Sequence, residues 1–168
     1  MVNHDKSGIR PTEATEYLGY TFRGSGGRFE ASAKNLRKFK DRVKEITRRK
    51  RGVSITRRFG ELRRYFQGWI GYFHFGMTKT AVRYLDKWIR RRIRACYWKQ
   101  WYRVRTRVKM LLKLGVRKDE AISHGCSGRG PWVMSSSAAV HVALNNKYLT
   151  QQGLASLEEI WSKFASKR

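Results

Sequence analysis

Acidic residues are scarce in this chain: twelve Asp and Glu stand against 38 Lys and Arg in 168 residues, a formal net charge of +26. Cysteine is scarcer still. Cys96 and Cys126 form no C-x-x-C pair, which excludes a disulfide framework or a paired-cysteine zinc knuckle as the organising element. His124 and Cys126 make one H-x-C pair with no second pair to complete a metal site, so they read as an ordinary polar residue and a small one. Long hydrophobic runs are missing too. The longest uncharged stretch, 130–146, is rich in Ser and Asn and too short to span a bilayer. Met1 is not followed by an apolar leader, so no secretory signal and no membrane partner are expected, and the chain reads as cytoplasmic.

What is present is a concentrated basic block. Residues 34–109 hold 26 Lys and Arg against four Asp and Glu, a net of +22 out of the chain's +26. A compact domain repels itself at that charge unless a polyanion neutralises it. Aromatic residues lie among the cations: Tyr65, Trp69, Tyr72, Tyr84, Trp88, Tyr97, Trp98, Trp101 and Tyr102. Cations beside flat rings suit phosphate contact together with base stacking. The composition therefore points to a nucleic-acid binder, and the 40% apolar content is enough for one or two small folded cores.

The order of elements expected is a hairpin followed by helices. Leu18, Tyr20 and Phe22 alternate at period two, the glycine-rich 24–27 makes a loop, and residues 28–31 return as a partner strand. A first helix over 33–50 carries the seam Leu36, Phe39, Val43 and Ile46. Ser54 caps a second, with Ile55, Phe59, Leu62, Phe66, Trp69 and Phe73 inward and Gly76 at its end. Gly60, Gly68 and Gly71 each cost that helix about 1 kcal/mol against Ala, and close approach of another helix or of a nucleic-acid backbone would compensate. Thr78 or Thr80 caps a third helix whose seam is Val82, Leu85, Ile89, Ile93 and Cys96. A short helix over 108–114, a small one from Asp119, a loop over 123–131, a helix over 135–152 and a last helix behind the Ser156–Glu159 capping box complete the chain.

The third helix carries a second row, Arg83, Lys87, Arg90 and Arg94, with Arg91 beside it and Asp86 as the one nearby acid. Like charges at this spacing destabilise a helix by a few tenths of a kcal/mol each. A one-sign row exposed to solvent therefore calls for an outside anion, with Trp98 or Trp101 as stacking partners near its end.

Several blocks in order carry a family resemblance. They are Arg48-Arg49-Lys50-Arg51-Gly52-Val53-Ser54, then Glu61-Leu62-Arg63-Arg64-Tyr65-Phe66-Gln67-Gly68-Trp69-Ile70-Gly71-Tyr72-Phe73, then Leu85-Asp86-Lys87-Trp88-Ile89-Arg90-Arg91-Arg92-Ile93-Arg94 and Trp98-Lys99-Gln100-Trp101. Gly130-Pro131-Trp132, the run 143–149 and the run 152–157 extend the likeness. The chain resembles the C-terminal part of a group II intron-encoded reverse transcriptase/maturase, and the F-L-G hairpin of that family's palm is similar to Tyr17-Leu18-Gly19-Tyr20-Thr21-Phe22.

The resemblance implies a mainly α fold with a palm-end β-hairpin over 1–33, a three-helix thumb or maturase-specific region over 34–116 and a small helical domain X over 117–168. It implies intron RNA and an RNA–DNA template-primer duplex as partners, together with the palm and fingers of the same full-length protein. The implied RNA-binding residues are Arg48, Arg49, Arg51, Arg63, Arg64, Arg83, Lys87, Arg90, Arg91, Arg94, Trp98, Lys99, Trp101, Arg103 and Arg129. The family's polymerase uses a Y-A-D-D turn to hold Mg²⁺, and no Asp-Asp occurs in this chain. No catalytic residue, metal ligand or cofactor is therefore expected here, with Mg²⁺ belonging to a palm carried elsewhere. Arg63 and Gly71 stand where the family commonly has Asn. The alternative reading, free of any family, is a generic basic architectural protein that binds nucleic acid without preference.

Overall fold

A computed structural model describes residues 16–23 and 28–166. The chain is mainly α-helical behind a small antiparallel sheet, as the sequence predicts. The strands are β1 (Glu16–Tyr17), β2 (Tyr20–Arg23) and β3 (Arg28–Ala31), in the order β1-β2-β3. Phe22 pairs with Phe29 and Tyr20 with Ala31, so the expected hairpin forms. Its glycine-rich loop at 24–27 lies outside the described residues. The expected single strand through Leu18 is instead broken by a two-residue turn: Tyr17 pairs with Tyr20, and Leu18 and Gly19 both have positive φ, 50° and 85°.

The sheet is fastened to the helical body through Tyr20 and Tyr72. Tyr20 meets Phe29 edge-on and Phe73 at a tilt, with ring centroids 5.4 and 5.3 Å away, and its hydroxyl donates to the Tyr72 carbonyl. Tyr72 returns a hydrogen bond to the Leu18 carbonyl at 2.9 Å. Two glycines make this docking possible. A Cβ on Gly76 would stand 2.7 Å from the Tyr20 ring, and one on Gly19 would stand 2.6 Å from Asn35 Nδ2.

Helix α1 (Ala33–Ile46) starts at Ser32, whose hydroxyl accepts from the Asn35 N–H, and buries Phe39, Val43 and Ile46. It stops four residues earlier than expected because Thr47 leaves the helical region. Helix α2 (Ile55–Phe73) is capped by Ser54 and buries Phe59, Leu62, Phe66, Ile70 and Phe73 before a 3-10 turn at His74–Gly76. Helix α3 (Lys79–Gln100) is capped by Thr78 and buries the predicted seam, but its last turns from Ile93 to Trp98 are buried all round. It is the central helix of the molecule.

The remaining helices are short: α4 (Val104–Lys113), α5 (Lys118–Gly125), α6 (Pro131–Met134), α7 (Ala138–Ala143), α8 (Asn146–Gln151) and α9 (Leu157–Ala165). The single helix expected over 135–152 is divided at Leu144, where Asn145 leaves the helix and its side chain caps α8. Helices α6 and α9 pack on α3, α9 also packs on α2, and α4 packs on α5. Leu111, Leu144, Leu149 and Leu157 join Phe39, Phe66 and Ile89 in one continuous core. Trp161 Nε1 donates to the His74 carbonyl at 3.1 Å and fixes α9 to the end of α2. No helix among the described residues is long and apolar enough to cross a membrane.

Candidate nucleic-acid interface

The loop between α1 and α2 is held from below by buried cations. Arg58 is 2% exposed. Its Nη1 donates to the carbonyls of Ile46 and Arg48 at 2.8 and 2.9 Å, and its Nη2 to that of Arg51 at 2.6 Å. Arg92 Nε donates to Thr47 Oγ1 at 2.6 Å, and Cys96 Sγ to the Thr47 carbonyl at 3.2 Å. Burial raises the Cys96 thiol above its ordinary range, so it is a structural thiol. Positive groups at a helix C-terminus also complement its dipole. With the loop backbone fixed in this way, Arg48, Arg49 and Lys50 are exposed. Arg51 is not free, because it grips Glu61 through both terminal nitrogens at 2.5 and 2.9 Å. That hydrogen bond holds the Glu61 carboxyl below the usual carboxylate range.

The outer face of α2 is different. Gly60, Arg64 and Gly68 are four residues apart and form one exposed row. A Cβ on Gly60 or Gly68 would meet nothing within 4 Å. Close approach of another helix therefore explains only Gly71, whose Cβ would stand 3.5 Å from Phe164. Arg64 has no partner among the described residues, and neighbouring Arg63 reaches only the Gly153 carbonyl at 3.5 Å.

The row on α3 is not the solvent-facing stripe that the spacing suggests. Arg90 and Arg94 are 8% and 6% exposed. Arg90 Nε donates to Asp86 at 2.7 Å, and Arg94 donates to the Leu144 carbonyl at 2.9 Å and to Asn146 Oδ1 at 3.1 Å. Arg83 pairs with Glu158 at 2.8 Å, and the Arg91 guanidinium lies 4.2 Å over the Trp132 ring. The correction has a simple cause. Asp86 lies one turn before Arg90 on α3 itself, but the acceptors for Arg83 and Arg94 come from α9 and from 144–146, at least fifty residues away in sequence, so local spacing could not reveal those. Lys87 alone in this row is exposed without a partner among the described residues.

The tryptophans proposed for stacking are also enclosed. Trp98 is fully buried with Arg107 5.0 Å over its ring, and Trp101 is 6% exposed, so neither offers a face to a base. Lys99, Arg103 and Arg129 are exposed. The most exposed rings among the described residues are Tyr102, with Lys99 at 5.4 Å, and Tyr84, with Lys40 at 5.8 Å. The sequence places both among the interleaved aromatics, but the larger indoles were preferred as stacking partners, although Tyr84 lies off the apolar seam of α3, which was the available signal.

Comparison with curated proteins finds no match to this chain. The span from Leu36 to Gly115, which takes in nearly all of α1 and the whole of α2, α3 and α4, matches the family described as group II intron, maturase-specific domain. Residues 36–115 are thus similar to a group II intron maturase-specific domain, and that likeness supports a maturase role.

Proposed function

We propose that this chain binds structured group II intron RNA through the outer face of α2 and the adjoining α1–α2 loop, and so assists the RNA in folding and splicing. The observation that carries this reading is the row Gly60, Arg64, Gly68. Two helix-interior glycines weaken α2 by about 1 kcal/mol each, and among the described residues no atom lies near enough to either to explain them. A phosphate backbone lying along the helix would need that clearance beside Arg64. The Arg51–Glu61 pair brings the loop against the start of this row, adding Arg48, Arg49 and Lys50 to the same basic surface. Arg63, Lys99, Arg103 and Arg129 add further cations, with Tyr84 and Tyr102 as stacking rings.

Residues 34–116 then act as the thumb and 117–168 as domain X. With a palm and fingers present, the same surface would clamp a template-primer duplex, and Mg²⁺ would belong to the palm. A maturase-specific domain does not by itself indicate a polymerase centre, and we assign this chain neither catalytic residues nor a cofactor.

Filter binding to intron RNA and to a mixed-sequence duplex, repeated across salt, tests the proposal. With about six to ten phosphates contacted, affinity should fall roughly 10³–10⁵-fold between 50 and 200 mM salt. A flat salt dependence would refute the electrostatic surface. Equal affinity for both nucleic acids would favour a generic architectural protein.

A further inference from the structure

Between α3 and the C-terminal helices lies a cleft of about 660 Å³, within the range of roughly 300–1,000 Å³ typical of ligand pockets. Its α3 wall presents five cations and a single acid, Asp86. The only other carboxylate lining it is Glu158, and both acids are already engaged. Asp86 holds Arg90 with one oxygen at 2.7 Å and accepts the Leu157 N–H with the other at 2.9 Å, while Glu158 holds Arg83 at 2.8 Å. Arg94 is satisfied by Leu144 and Asn146.

Charged donors are left over. Arg90 is more than nine-tenths buried, yet among the described residues its Nη1 has no hydrogen-bond partner, and the buried Nε of Arg91 has none either. Unpaired buried donors of this kind are rare and costly. Lys87, exposed and without a partner among the described residues, adds a further cation at helical spacing from both arginines, where like charges repel. On the facing wall, burial first, and then the charges of Arg94 and Arg91, hold His141 below the ordinary histidine range. A cation is excluded from such a cleft by charge, and an apolar ligand would leave the donors unmet. A tetrahedral oxyanion has acceptors in enough directions to meet guanidinium and ammonium donors together.

We propose that this cleft is a binding pocket for a single phosphate group, held by donors from Lys87, Arg90 and Arg91. It uses no residue of the α2 row and does not depend on the RNA reading.

The test is calorimetric titration of inorganic phosphate into the purified chain, with ionic strength held constant by sodium chloride. Saturable one-to-one binding is expected. Lys87→Gln and Arg91→Gln should each weaken it about tenfold or more, whereas Arg64→Gln on α2 should leave it unchanged. Lys87 is exposed and unpaired, so that variant keeps the test decisive if Arg91→Gln fails to fold by circular dichroism. Uptake that does not saturate, or an equal loss in Arg64→Gln, overturns the pocket. A second titration with intron RNA already bound identifies the source. Blocked phosphate binding makes an RNA strand the ligand, and undiminished binding makes it a free phosphate; either result supports the pocket.

Discussion

Arg64 on α2 and Arg90 on α3 both sit in basic, aromatic-rich runs, yet Arg64 is exposed without a partner among the described residues while Arg90 is 8% exposed and bound to Asp86 at 2.7 Å. The same contrast extends to their neighbours. On α3, Arg83, Arg92 and Arg94 all find acceptors on other elements. On α2 the free cation is flanked by glycines with open space above them. A run of arginines therefore carries two meanings in one chain. Where distant segments supply carbonyls and carboxylates, arginine joins helices together; where none do, it remains for an outside anion.

Removing one buried partner should give the largest effect. Arg90→Met leaves Asp86 enclosed without its cation and should cost about 3–5 kcal/mol, whereas Arg64→Met should change stability by no more than about 0.5 kcal/mol. Urea unfolding measures both, and similar costs would erase the distinction between the helices.

Arg58→Met comes next. It strips donors from three carbonyls and should cost about 2–3 kcal/mol, with faster amide exchange at Thr47 and Arg51 than in the rest of α1 and α2. A neutral result would mean that water satisfies those carbonyls equally well.

The smallest effect concerns pH. Arg51 holds the folded Glu61 pKa below its unfolded value. The pair's contribution is thus present above about pH 4.3, the usual unfolded value, and is lost as pH falls through the lower folded value. Wild type should exceed Glu61→Gln in stability at neutral pH, and the two should converge in acid. A constant difference across that window would show that the ion pair contributes nothing.

The three-helix arrangement was legible because Leu36–Ile46, Phe59–Phe73 and Val82–Cys96 repeat at helical period, and the caps Ser54 and Thr78 lie before the second and third of those runs. The break at Leu144 was harder to see, since the apolar period continues through it and only the Asn145-Asn146 pair marks the new cap. β1 is two residues long, too short to carry a period. At the interface, exposure at Arg48, Arg49 and Arg64 was readable from their distance off the seams. The engagement of Arg58 and Arg94 was not, because each depends on acceptors in other segments, whereas Asp86, the partner of Arg90, lies only four residues earlier on α3. Trp98 and Trp101 were misleading for a related reason: large rings among cations suit stacking on bases, but they suit an enclosed core under Arg107 equally well.

The double variant Gly60→Ala/Gly68→Ala tests the central claim, that the outer face of α2 is shaped for RNA at a cost to the helix. Thermal unfolding and filter binding to intron RNA should be measured on the same preparation. The variant should be more stable by about 1–2 kcal/mol in total and should bind RNA about tenfold more weakly or worse. A stabilised protein with undiminished RNA affinity would contradict the account, because the glycines would then leave room for nothing.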